Sequence, residues 1–213
     1  MAFDPIEHWQ RVYAEKAPDG VSWYQRVPER SLALILSHRA AEPCRVVDIG
    51  AGASALAEHL LRAGGFEPWL VDVSERALAI TRERLGELAG RVRFTAADIT
   101  RPLAEPTSGW ADIWHDRAVL HFLNDEAGIR AYGMNLARTL RPGGTAIIAT
   151  FAPDGPLKCS VLEVRRHDGA GVLAALMGTV PLTLVEESRE DHTTPWGAVQ
   201  GFCYAVLRRG PDA

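Results

Sequence analysis

The chain has 213 residues, 47% of them hydrophobic, and a formal net charge of -4. That length is enough for one full hydrophobic core and too short for two, and the acidic balance argues against binding along a phosphate backbone, which draws on a basic surplus. Three well-separated cysteines, Cys44, Cys159 and Cys203, point to neither a disulfide framework nor a zinc ribbon.

Asp4 and Glu7 stand at the N-terminus without an apolar signal core, and the run Leu32 to Leu36 is far too short to span a bilayer. A cytoplasmic protein without a membrane segment is therefore expected. Residues 1–41 are helical in pattern and carry Trp9, Tyr13, Trp23 and Tyr24. Apolar runs then follow at Arg45–Ile49, Pro68–Val73, Val92–Thr95, Asp112–Asp116 and Thr145–Phe151, separated by segments of helical period. Such alternation predicts a parallel sheet with helices on both faces. Ser54 is the expected cap of the first intervening helix, with Gly64-Gly65 as its stop, and Ser74 caps the second. A further helix follows Asn124 or Asp125 and ends at Arg141-Pro142-Gly143-Gly144, which turns the chain into the strand Thr145–Thr150. Val180–Glu187 and Val199–Arg208 read as two strands joined by a loop through His192, Pro195 and Gly197. With no helix between them they should pair as an antiparallel hairpin at the sheet edge. No repeat or linker interrupts this pattern, so one domain over 1–213 is expected: 1–41 as a helical lid, 44–151 as the core and 180–208 as the hairpin.

Residues 46–54 read Val-Val-Asp-Ile-Gly-Ala-Gly-Ala-Ser, a strand running into a turn of tiny residues, and Asp72 closes the next strand. A unit of this kind binds a nucleoside, because the glycines let the backbone approach and the carboxylate accepts from ribose hydroxyls. Those residues alone also satisfy an NAD fingerprint through Gly50, Gly52, Ala55 and Asp72, so an NAD-dependent oxidoreductase is one alternative.

Adding Ala97-Asp98-Ile99 after the third strand, Leu-Arg-Pro-Gly-Gly before the fifth and the terminal hairpin, the chain resembles the class I S-adenosylmethionine-dependent methyltransferases. The resemblance covers residues 44–151 and the hairpin. It implies an α/β, Rossmann-like doubly wound sheet of seven strands in the order 3-2-1-4-5-7-6, the last strand antiparallel, with S-adenosyl-L-methionine as cofactor. Carried over by position, it makes Asp48, Gly50, Ala51 and Gly52 the wall around the methionine moiety and Asp72 the ribose ligand. Val73 becomes the adenine's apolar neighbour, and Asp98 with Ile99 meets the adenine edge. Tyr13 and Trp23, by the same analogy, belong to a lid that closes over the cofactor. Ser54 stands where the family often has a third glycine.

Ligands of doubly wound folds lie beyond the carboxyl ends of the strands. There the fourth strand runs through Trp114-His115-Asp116-Arg117 to His121-Phe122, and His115, Asp116 and His121 are the candidate general bases for an acceptor that must lose a proton. The turn Phe151–Pro156 is expected to border the acceptor. Cys159, His167, Asp191, His192 and Cys203 are spaced irregularly, which favours ordinary packing over a metal site. The expected reaction is methyl transfer to N, O or S of a small molecule. A protein or peptide acceptor and a non-catalytic cofactor-binding subunit are the alternatives, and no nucleic-acid partner is expected.

Overall fold

The computed structural model describes residues 4–104 and 108–211. Helices α1 (Pro5–Glu15) and α2 (Glu29–Ser37) precede an alternating core. It comprises β1 (Cys44–Ile49), α3 (Leu56–Ala63), β2 (Phe66–Asp72), α4 (Glu75–Leu85), β3 (Arg93–Ala96), β4 (Ala111–Arg117), α5 (Glu126–Thr139) and β5 (Leu140–Phe151). A small hairpin of β6 (Lys158–Cys159) and β7 (Leu162–Glu163), then α6 (Gly169–Leu176), lead to β8 (Leu182–Thr193) and β9 (Val199–Arg209). The large sheet runs β3-β2-β1-β4-β5-β9-β8, with β9 antiparallel to both neighbours. Leaving the small hairpin aside, this is the expected seven-strand order, and the structure is the doubly wound α/β sheet that the alternation predicts.

The central strands β1, β2, β4, β5 and β9 are buried along most of their length because both faces of the sheet are covered there, whereas the edge strands β3 and β8 are largely exposed. On one face Val47, Ile49, Val71, Trp114 and Ile148 pack against Ile129, Tyr132 and Leu136 of α5 and Val172 and Leu176 of α6. On the other, Val46, Ile113, Ile147 and Val206 meet Leu34 and Ile35 of α2 and Leu56 and Leu60 of α3. Helices α1, α4, α5 and α6 begin where a side chain offers their orphan amides an acceptor. Ser74 Oγ accepts from Ala77 N, and Asp125 accepts from Gly128 N. No helix among the described residues is long and apolar enough to cross a membrane.

Local differences from the sequence reading have simple causes. The N-cap of α3 is Ala55, while Ser54 Oγ accepts from Leu56 N one step earlier. Strand β5 begins at Leu140, so Arg141–Gly144 form a bulge: Leu140 pairs with Ala111 and Thr145 with Ile113. His192 lies within β8, paired with Gln200, and the hairpin turn is correspondingly shorter. The β6–β7 hairpin and α6 had no clear periodic signal, the first because each strand has two residues.

Candidate functional site

The carboxyl ends of β1, β2 and β4 open into two adjoining spaces. The larger cavity, about 430 Å³, runs from Val71, Asp72, Val73, Asp98 and Ile99 to Trp9, Trp23, Phe122, Cys159 and Leu162. The smaller, about 60 Å³, lies under Ser31 and the Gly50–Ser54 loop, with Asp48 and His115 in its wall. Tyr13, Trp23, Gly50 and Arg117 line both.

The loop after β1 is shaped for close backbone approach. Gly50 and Gly52 hold φ of 63° and 53°, where a side chain is strained. A Cβ on Gly50 would run into Val119, and one on Gly52 into the Tyr13 hydroxyl. The loop is pinned from α4, since Thr81 Oγ1 donates to Gly52 O at 3.0 Å and Arg84 Nη1 to Ala53 O at 2.7 Å. Asp72 accepts from Gly52 N and Ser74 N, each at 2.8 Å. Burial pushes its carboxyl up to about 6 against the pull of those amides. A carboxylate has about four acceptor positions, so Asp72 retains capacity for ribose hydroxyls. Asp98 Oδ1 takes Thr100 N and Thr100 Oγ1 at 2.8 Å each, which orients it at the cavity wall.

Helix α1 crosses above this space and is tied to α4. Gln10 Oε1 accepts from Ser74 Oγ at 3.1 Å and from Arg76 N at 3.2 Å, and Arg76 Nε donates to Tyr13 O at 2.8 Å. Trp9 meets Trp23 and Phe122 edge to face, with ring centroids 5.6 and 5.2 Å apart. The β6–β7 hairpin closes the far side with Cys159 and Leu162, and burial pushes the Cys159 thiol up to about 11. Arg117 is held between the spaces: its Nε donates to Tyr204 Oη at 3.1 Å, its Nη1 to Trp23 O at 3.3 Å, and its guanidinium lies 4.2 Å from the Phe202 ring centroid.

All ten residues expected to hold a cofactor line one space or the other: Asp48, Gly50, Ala51, Gly52, Asp72, Val73, Asp98, Ile99, Tyr13 and Trp23. The three candidate bases separate. His115 lines the smaller space, bonded to Asp48 and Ser31. Asp116, pointing to the opposite face of β4, accepts from Val119 N, Leu120 N and the Tyr132 hydroxyl at 2.8, 3.0 and 2.7 Å, and lines neither space. His121 also lines neither; it packs against Phe122 and Phe151, and burial drives its imidazole down to about 3. Residues 151–156 do not border the larger cavity either, because Phe151 turns into the core and the chain reaches the wall only at Cys159. Trp9, Phe122, Leu162 and Arg117 complete the walls without having stood out as site residues; the density of aromatics in the first helices is the one sequence signal that pointed toward Trp9.

Residues 46–144 match the family described as methyltransferase domain. A relative from Danio rerio, the eEF1A lysine and N-terminal methyltransferase, is 26% identical over 75% of this chain but 23% of its own length. Another from Streptomyces halstedii, the methyltransferase GfsG, is 27% identical over 76% of this chain and 62% of its own. The chain thus spans under two thirds of either curated relative. A solved structure of the Burkholderia thailandensis 1,6-didemethyltoxoflavin-N1-methyltransferase, bound to that compound and S-adenosylhomocysteine, superposes with a TM-score of 0.68 at 22% identity, covering 97% of this chain and 84% of that one. Domain match and strand order together show a segment similar to methyltransferase domains over residues 46–144, carried on a Rossmann-like doubly wound sheet.

Proposed function

We propose that this protein moves the methyl group of S-adenosylmethionine to a nucleophilic atom of a small-molecule acceptor. The observation that carries this reading is the enclosed, aromatic end of the larger cavity, where Trp9, Trp23, Phe122, Cys159 and Leu162 close around space beyond the nucleoside side. At about 430 Å³ the cavity is within the range of small-molecule sites.

The residues fit the cofactor. Gly50 and Gly52 let the loop run close beneath Val119 and the Tyr13 hydroxyl at the edge of both spaces, Asp72 keeps free lone pairs for ribose, and Val73, Asp98 and Ile99 offer an apolar wall with one acceptor for adenine. The bound cofactor supplies an electrophilic methyl group on sulfur. The protein's work is to orient the acceptor's lone pair in line with it and to exclude water, for which proximity alone supplies much of the rate. The aromatic roof and the β6–β7 hairpin do the excluding. Asp116 and His121, lining neither space, serve in this reading as supports for the segment after β4 and not as bases, so the acceptor arrives with its lone pair available.

A protein acceptor is the second reading, favoured by the Danio rerio relative, which is named an eEF1A lysine and N-terminal methyltransferase. Incubation with methyl-labelled cofactor, a panel of small amines, phenols, acids and thiols, and separately a total protein extract tests the two. Labelled small products are expected; label found only in polypeptides would reject the small-molecule reading.

A further inference from the structure

His115 sits beside Asp48 because β1 and β4 pair in parallel with these two residues in register, so both side chains leave the same face. His115 Nδ1–H donates to Asp48 Oδ1 across 2.6 Å, and Nε2 meets Ser31 Oγ of α2 at 2.9 Å. A carboxylate can only accept, so Asp48 fixes which ring nitrogen carries the proton. The path continues from Ser31 to the Tyr204 hydroxyl at 3.4 Å, then to Glu190 at 3.0 Å, whose other oxygen accepts from Gln25 Nε2 at 2.9 Å. Asp48, His115 and Ser31 are 5%, 3% and 1% exposed. Polar groups so deeply placed hold their geometry because an unmade bond there is costly. Asp48, His115, Ser31 and Gln25 all face the smaller space beside the Gly50–Ser54 loop.

We infer that His115 is a positioning residue for the amino-acid end of the cofactor. It holds the Asp48 carboxylate in place for the cofactor's ammonium and, through Ser31, ties that carboxylate to α2. Docking of α2 and binding of the amino-acid end are thereby coupled. Imidazole suits the task because its two nitrogens reach opposite partners at once, one on a strand and one on a helix. Both nitrogens are engaged, and the ring faces the smaller space and not the aromatic end of the larger one, which sets this role apart from that of a base acting on the acceptor. The inference rests on the cofactor assignment.

Two ligands separate the effects: S-adenosylhomocysteine, and 5′-methylthioadenosine, which lacks the amino-acid end. By calorimetry, His115→Leu should weaken the first by roughly tenfold to a hundredfold, as when bonds to a charged group are lost, and leave the second within about twofold. Ser31→Ala should show the same selectivity and add nothing in the His115→Leu background. Hydrogen exchange should find α2 better protected by S-adenosylhomocysteine than by methylthioadenosine in the wild type, and equally by both in His115→Leu. If that variant fails to fold, His115→Gln, which reaches one partner, should show a smaller selective loss. Equal weakening of both ligands, or unchanged S-adenosylhomocysteine binding, overturns the inference. A wild-type protein that binds neither ligand overturns the cofactor assignment, and the relay with it.

Discussion

Along β4 the side chains alternate, and that alternation separates the roles of three neighbouring polar residues. His115 leaves the sheet on the side of α2 and the glycine loop, whereas Trp114 and Asp116 leave on the side of α5, where Tyr132 bonds both of them. His121 lies past the strand, fully buried, with neither ring nitrogen hydrogen-bonded. Its burial has a readable thermodynamic sign. The imidazole titrates near 6.5 in the unfolded chain and about 3 in the fold. Between those values the unfolded state binds more protons, so this residue's effect lowers stability as pH falls through about 6.5, by about 1.4 kcal/mol per pH unit. Asp72 and Asp116 act oppositely: each is raised from 3.8 to about 6, so the native state binds more protons in that window and acidification favours it. His121→Phe removes only the first effect. Its stability relative to wild type, measured by urea unfolding, should rise as pH is lowered from about 7 to about 4. Parallel profiles for the two proteins would contradict this.

The elements that were easiest to read are those whose signals are local. The glycine loop after β1, the Ser74 and Asp125 caps and the alternation of strand and helix each lie within a few residues of what they specify. The β6–β7 hairpin was hidden because its function as a wall depends on meeting α1 across the cavity, and four paired residues carry no period. Its turn is strained: Ser160 and Val161 hold φ of 49° and 64°, and Val161 is 83% exposed. A β-branched residue is unfavourable in that conformation, by roughly 1–2 kcal/mol, and Gly is not. Val161→Gly should therefore stabilise the protein by about 1 kcal/mol, visible as a Tm rise of about 2–4 °C for a chain of this size. A lowered Tm would show that the Val161 side chain makes contacts that outweigh the strain.

At the scale of the molecule, a ligand that binds the native state alone stabilises it by mass action. S-adenosylhomocysteine at a hundred times its Kd should add about 2.7 kcal/mol, a shift of roughly 5–10 °C in thermal unfolding. NAD at the same concentration should leave the transition in place, and the reverse pattern would contradict the cofactor assignment. The amino-acid sequence by itself determined the alternation of strand and helix, the glycine loop and the acid that closes β2, because periodicity, tiny residues and strand-end acids act over short stretches of chain; the strand order was legible only through the family resemblance. Only the tertiary structure decided which proton-bearing side chains face the site. That depends on strand register, which sets His115 beside Asp48, and on which face of β4 each residue leaves. It also decided the wall of the larger cavity, since Trp9, Trp23, Phe122, Cys159 and Leu162 come from segments far apart in sequence and meet when α1 and the small hairpin fold over the strand ends.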